Sequence, residues 1–405
     1  MANPYVDIFR APGTRAFSFA GFIARMPFAM ITLGIVTMLS QAQGGYGLAG
    51  AVAATFALTS ALIAPQISRA VDRYGQSRIL PPATAMAVIG LGALMLATRF
   101  EAPAWSLFAF AALGGFMPSM SAMVRARWTE LYRDTPRLRT AFAFESVVDE
   151  LIYMTGPVIS IGLSVALFPE AGPLAAVLFL TVGTLLFVPL KATEPPVHPQ
   201  GRSAGGSVIR LSAIRIITLI LIAIGAIFGT AEVTAVAFAE QQGQTAAASI
   251  VLSIYAAGSL IVGLVFGALK PRLPLARQLQ LAIALAALTT LPLLVVGSIP
   301  ALALVLFLAG AAVSPTLIIS MGLIERIVPP AKLTEGITWA MTGVGIGMAV
   351  GSAASGWVID MFGVASGFWV SIASGLVALA TVVLGYRQLS DEGGPCAAEP
   401  AAAGA

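Results

Sequence analysis

Long apolar runs separated by short polar breaks occupy almost the whole chain, and twelve of them reach the roughly 20 residues a helix needs to cross a hydrocarbon layer. They span residues 17–40, 46–67, 79–98, 104–126, 140–167, 171–190, 213–238, 245–268, 277–297, 300–323, 334–358 and 366–386. None shows the alternating polarity of a transmembrane β-strand. The first is too long for a signal-peptide core and has no clear cleavage site, so it belongs to the mature helices. The pattern predicts an all-α integral membrane protein with twelve transmembrane helices.

The longest polar break, KATEPPVHPQGRSAGGSVIR at 191–210, falls between the sixth and seventh runs. The halves on either side resemble each other. Phe56, Ala57 and Ser60 in AGAVAATFALTSALIAPQISRAVDR align with Tyr255, Ala256 and Ser259 in ASIVLSIYAAGSLIVGLVFGALKPR, and Arg73 aligns with Arg272. Pro118 and Pro315 recur at nearly the same place in the fourth and tenth runs. The expected organisation is two pseudo-symmetric six-helix bundles, 1–190 and 213–388, joined by a cytoplasmic linker at 191–212 and followed by a disordered tail at 389–405. Internal repeats of this kind are a feature of many secondary transporters.

Composition agrees with a bilayer environment: 58% of the residues are hydrophobic and 10% charged, with a mean hydropathy of +0.92, whereas soluble domains carry about 25% charged residues. The formal net charge of +4 reports topology. With the N-terminus inside, Arg69, Arg73, Arg78, Arg125, Arg127, Lys191, Arg210, Arg272 and Arg387 among others face the cytoplasm, and only Arg99 lies outside, as the positive-inside rule requires. Both termini are then cytoplasmic in a multi-pass protein of the cell membrane, and nucleic acid is not an expected partner. The single cysteine, Cys396, has no disulfide partner. The single histidine, His198, stands among prolines in the linker, which argues against a His-based metal site or a Ser/His triad. No cofactor and no metal is expected.

Polarity concentrates unusually in ISRAVDRYGQSRIL at 67–80. Here the chain resembles the major facilitator superfamily, whose loop between helices 2 and 3 carries G-x-x-x-D-R-x-G-R-[RK]. Asp72, Arg73 and Gly75 match; Ser68 replaces the first glycine, and Gln76 and Ser77 replace the basic pair, with Arg78 following. The resemblance extends from about residue 10 to residue 388 and implies that superfamily's fold. It also implies a latch, in which Asp72 meets the N-terminus of helix 11 near Thr334 when the protein is open to the outside. A carboxylate at a helix N-terminus contributes about 0.3 to 1 kcal/mol, or up to about 2 when partly buried. Gly75 would give a tight turn, and Arg73 and Arg78 would pair with loop acids or lipid phosphates. The alternative is a loop that merely obeys the positive-inside rule. Gly156 and Pro157 in ELIYMTGPVISIGL resemble the core of the antiporter motif of helix 5, and that pair can bend a helix against its neighbours. At Phe110, four residues ahead of Gly114, the resembled proton-coupled exporters usually carry an arginine. Gly343, Gly347, Gly351 and Ser355 form a small-residue seam on helix 11 suited to close packing.

Ionisable groups inside a bilayer are costly and face cavities or one another. Those found here are Arg25 on helix 1, Glu145, Asp149 and Glu150 on helix 5, and Glu232 on helix 7. Arg25 and Asp149 lie at matching depths. Glu145 and Asp149 share one face, and Glu150 is rotated away by roughly 100°. Arg25 is expected to pair with the helix 5 acids. Either one carboxylate is left free to exchange a proton or bind a cationic group, or the pair only holds helices 1 and 5 together. Glu232, beside Gly229 and Thr230 that could loosen the backbone, is either a substrate contact or a group reaching the outer surface.

The chain has no G-x-x-x-x-G-K-[ST] pattern for nucleotide phosphates, whereas a membrane potential supplies about 2.3 kcal/mol per charge per 100 mV. The expected function is a secondary active transporter of small organic molecules working by alternating access, proton-linked and exporting, similar to bacterial drug and metabolite exporters. Its expected partners are the small-molecule substrate, protons and membrane lipids, and it is expected to be a monomer. A solute importer or facilitator of the same fold is the alternative. From another class comes a membrane-embedded lipid-modifying enzyme, disfavoured because Asp149 and Glu150 lack a second acidic motif at metal-ligand spacing. No residue is assigned a catalytic role.

Overall fold

The computed structural model describes residues 4–43, 46–197, 206–244, 247–269 and 273–391. His198, Arg202, Lys270, Arg272 and Cys396 lie outside the described residues, as do much of the linker and nearly all of the tail. Among the described residues there is no strand. That is the expected outcome for a chain in hydrocarbon, where a helix satisfies every backbone group within its own segment.

The described residues form fifteen α-helices, in order α1 (Pro4–Asp7), α2 (Thr14–Gln43), α3 (Tyr46–Tyr74), α4 (Gln76–Arg99), α5 (Ala104–Gly114), α6 (Met120–Tyr132), α7 (Pro136–Ala166), α8 (Ala171–Phe187), α9 (Ser212–Gln241), α10 (Ala247–Ala268), α11 (Leu275–Thr290), α12 (Ile299–Ile327), α13 (Leu333–Phe362), α14 (Val364–Leu384) and α15 (Tyr386–Asp391). Ten are long and apolar enough to cross a membrane, and α5 and α8 are shorter apolar helices. Together these twelve correspond to the twelve runs of the sequence.

Contacts divide the chain into two compact units, Met1–Gly205 and Gly206–Ala405. In the first, α2 packs against α3, α7 and α8, and α4 lies against α5 and α8. Their core gathers Met30, Ile31, Ile35, Leu91, Leu107 and Leu180. In the second, α9 runs along α13 and α14, and α10 along α12. The seam on α13 meets α9. A Cβ on Gly347 would lie 2.0 Å from Ile222 O, and one on Gly351 2.2 Å from Ala226 O. Gly225 and Gly229 of α9 answer with equally close approaches to Val344 O and Met348 O, both 2.2 Å.

Two local expectations are corrected. The polar stretch 67–80 is barely a loop, because α3 carries Asp72 and Arg73 in its last turn and only Gly75 stands between α3 and α4. At φ 93° Gly75 turns the chain in a conformation that L side chains rarely adopt. The fourth run is split into α5 and α6, with residues 115–119 between them non-helical. Gly114 and Gly115 are weak helix formers, and Pro118 both lacks an N–H and disfavours helical geometry at Met117. Pro315, its counterpart in the repeat, lies inside the continuous α12, where no glycine pair precedes it.

Candidate functional site

Ionisable side chains converge where α2, α6 and α7 meet. Arg25 of α2 places Nη1 2.6 Å from Glu145 Oε2 and 3.0 Å from Asp149 Oδ1. Arg125 of α6 donates through Nη2 to Asp149 Oδ2 at 2.7 Å. The Ser121 hydroxyl donates to the same Oδ2 at 3.2 Å and accepts from Arg125 Nη1. Trp128 Nε1 donates to Glu145 Oε1 at 2.5 Å. Two guanidinium groups thus face two carboxylates, and the cluster is formally neutral.

Helical spacing explains the convergence. Ser121, Arg125 and Trp128 recur at i, i+4 and i+7 on α6, and Glu145 and Asp149 at i and i+4 on α7, so each helix presents one polar face. The Arg25, Arg125 and Glu145 side chains are 3%, 3% and 0% exposed, whereas Asp149 is the most exposed of the four at 22%. Arg25 Nη2 and Arg125 Nε are buried without a hydrogen-bond partner among the described residues. Buried guanidinium N–H groups left unpaired are costly.

One end of the cluster is closed by rings. Trp128 packs on Phe17 with centroids 4.7 Å apart, on Phe9 at 5.7 Å and in a stack on Tyr132 at 5.9 Å. The Tyr132 hydroxyl donates to Ile8 O at 2.8 Å, tying in the segment that leads into α2. In the other direction α2 and α7 advance in step. Phe28 meets Tyr153 edge to face at 5.8 Å, Gly156 lets Ala29 approach closely, and Ser160 Oγ donates to Met30 O at 2.9 Å.

The pairing of Arg25 with the helix 5 acids is therefore present, but the free carboxylate is not. Glu145 and Asp149 are both held, and Glu150, half-buried one position on, is also engaged. The difference arises from Arg125. The charge pattern assigns Arg125 and Arg127 to solvent at the cytoplasmic side, yet they are 2% and 0% exposed. After the break at Pro118 a new helix starts, and it carries both residues back into the unit. Arg127 points away from the cluster. It donates to Gln76 Oε1 at 2.8 Å, Leu190 O at 2.8 Å, Thr193 Oγ1 at 2.9 Å and Phe187 O at 3.3 Å, and lies 3.8 Å over the Phe187 ring. It closes the C-terminal end of α8, whose last carbonyls have no helical partner.

The remaining candidates lie elsewhere. Asp72 is half-buried at the end of α3, Arg73 lies 5.1 Å over the Tyr74 ring, and Arg78 is exposed in the first turn of α4. Glu194 Oε1 accepts from Ser77 N at 2.7 Å, filling the N-terminus of α4 with an acid from the linker. α7 continues through Pro157 as one helix. Phe110 is partly buried against the core of the first unit. Glu232 is half-buried on α9 in the second unit. Its neighbours do not loosen the backbone as expected. Gly229 O accepts from Ser352 Oγ at 3.1 Å and Thr230 Oγ1 donates to Gly351 O at 3.4 Å, pinning that stretch to α13. Among the described residues no group of three His, Cys, Asp or Glu side chains could hold a metal ion.

Membrane-length helices in two units, with opposed charges buried among them, define a multi-pass membrane protein. The profile of the Major Facilitator Superfamily matches residues 17–300 and 246–400, and the chain belongs to that superfamily, whose members are transporters of small solutes and not enzymes. No curated protein matches it. Among solved structures it is similar to a bacterial homologue of the iron transporter ferroportin in an outward-facing state, with 14% identity and a TM-score of 0.71 over 94% of this chain and 100% of that one. It is also similar to the human organic anion transporter MFSD10 (TETRAN), with 15% identity and a TM-score of 0.69 over 94% and 100%. A third is FucP, a transporter of the same superfamily, in the outward conformation, with 12% identity and a TM-score of 0.68 over 91% and 98%.

Proposed function

We propose that the chain is a proton-linked secondary transporter of small organic molecules working by alternating access in the cell membrane, with Asp149 as the group that exchanges the proton. The observation that carries this reading is the position of Asp149: a partly exposed carboxylate inside a membrane-length helix, held by two buried arginines from two other helices. A partly exposed carboxylate with two competing cationic partners can change partner and protonation state together, which gives a proton a way to bias the equilibrium between two conformations.

A second reading, efflux by proton antiport, is favoured by Gly156 and Pro157 on α7, and the sign of proton movement separates it from co-transport. The test is a stability screen of the purified protein against small organic acids, amines and sugars at about pH 5.5 and 7.5, since binding to the folded state raises apparent stability by mass action. Counterflow of the stabilising compounds follows in proteoliposomes with and without a pH gradient. Asp149→Asn is expected to keep exchange counterflow and lose gradient-driven accumulation. Accumulation that ignores the pH gradient in the parent protein would refute the proton linkage.

A further inference from the structure

Resting on the transporter reading of this site, we propose that its substrate is a small aromatic monoanion, whose acidic group displaces Asp149 from Arg125 and binds together with one proton taken up by Asp149. Three observations point to this class. First, the cluster has more unmet donors than acceptors: Arg25 Nη2 and Arg125 Nε are buried without hydrogen-bond partners among the described residues, against the single oxygen Glu145 Oε2, which lies in an ion pair with Arg25 at 2.6 Å, and both arginines are 3% exposed. A buried, unpaired guanidinium N–H calls for an acceptor, and a carboxylate, sulfonate or phosphate oxygen is the acceptor it binds most strongly. A cationic ligand would leave these donors unmet and add a third positive group.

Second, the member of the cluster that can yield is the anion. Asp149, bonded by Arg25, Arg125 and the half-buried Ser121, is 22% exposed, whereas Glu145, held by Arg25 and Trp128, is 0% exposed. An incoming anion therefore competes with Asp149. Third, the neighbouring turn carries an aromatic pair. One turn along the same two helices Phe28, 48% exposed, meets Tyr153 edge to face, an arrangement onto which a flat apolar body can pack.

The charges then fix the stoichiometry. At rest two guanidiniums balance two carboxylates. When a monoanion takes the place of Asp149, the displaced carboxylate would be an uncompensated charge in a membrane-length helix, which is strongly disfavoured. A proton from the aqueous side placed on its carboxylate oxygen restores neutrality: two guanidiniums, Glu145 and the ligand. The charged groups facing Asp149 are Arg25 of α2, Arg125 of α6 and Glu145 on its own helix. α8 carries no charged residue, and the one acid of α1, Asp7, is paired with Arg10 at 3.1 Å.

Benzenesulfonate, a permanent monoanion, benzyltrimethylammonium and benzyl alcohol share one ring and differ in charge. Calorimetric titration of the full-length protein with each, between about pH 5 and 8, is expected to show binding of the sulfonate alone, tightening by about tenfold per unit of falling pH as one co-bound proton requires. Asp149→Asn, which mimics the protonated acid, should bind the sulfonate independently of pH. The charge-balanced double variant Arg125→Gln/Asp149→Asn should lose sulfonate binding while retaining its fold. Preferential binding of the ammonium, absence of sulfonate binding in the parent, or a pH-independent sulfonate affinity would each overturn the inference. Proton-driven transport of some other compound in vesicles under those outcomes would leave the transporter reading standing, so the two failures are distinct.

Discussion

Arg127 offers a sharp test of the difference between a charge that sets topology and a charge that holds a structure. Its guanidinium makes four hydrogen bonds between 2.8 and 3.3 Å and covers the Phe187 ring. Arg127→Met keeps the apolar stem and removes every donor. Thr193 Oγ1 retains its own bond to Leu190 O and Phe187 O keeps its bond from Leu190 N at 3.2 Å, so the group left unmet is Gln76 Oε1. At about 1 to 3 kcal/mol for one buried unsatisfied group, plus the loss of a desolvated cation–π contact of about 2 kcal/mol, the expected destabilisation is about 3 to 5 kcal/mol. Arg127→Lys keeps the charge but not the planar fork and should lose about half of that. The control is Arg69→Gln, which neutralises an exposed arginine and should change stability by less than about 0.5 kcal/mol. Denaturation of the purified proteins in mixed micelles, followed by tryptophan fluorescence, measures all three. If Arg127→Met falls within about 1 kcal/mol of the parent while Arg69→Gln does not differ from it, the closure of α8 by this side chain contributes nothing and the reasoning fails.

Two further outcomes follow from the packing and the motif. Gly347→Ala would put a methyl 2.0 Å from Ile222 O, so α9 and α13 must separate, and a loss of about 1 to 3 kcal/mol is expected; Gly345→Ala, which meets nothing within 4 Å, should be neutral or slightly stabilising in the same assay. Asp72→Asn is expected to insert and purify normally but to lose transport if the motif acts as a latch, and unaltered counterflow would remove that role.

Much of this was readable in advance. Hydropathy located the membrane helices because the bilayer sets both their length and their apolarity. The spacing Gly343, Gly347, Gly351 exposed a contact seam, although its partner on α9, Gly225 and Gly229, became visible only in the fold. Arg25 and the acids of α7 could be paired by depth. What stayed hidden was Arg125, because a basic residue at the end of an apolar run looks the same whether it sits in water or folds back after a helix break. A signal was present: Ser121, Arg125 and Trp128 stand at helical spacing beyond Pro118. Recognising it required giving up one continuous fourth helix. Arg127 gave no such signal, since its partners lie on α4 and at the end of α8, distant in sequence.

Gly75 carries a mechanical consequence. A single residue joins α3 to α4, so the two rods have a pivot between them but no slack, and a push on the end that bears Asp72 is handed directly to α4. Glu194 sits against that pivot, where a Cβ on Gly75 would come within 3.1 Å of its Oε1. The strand of chain leading out of the first unit is thereby geared to the same joint, and whatever swings the rods will also tug on Glu194.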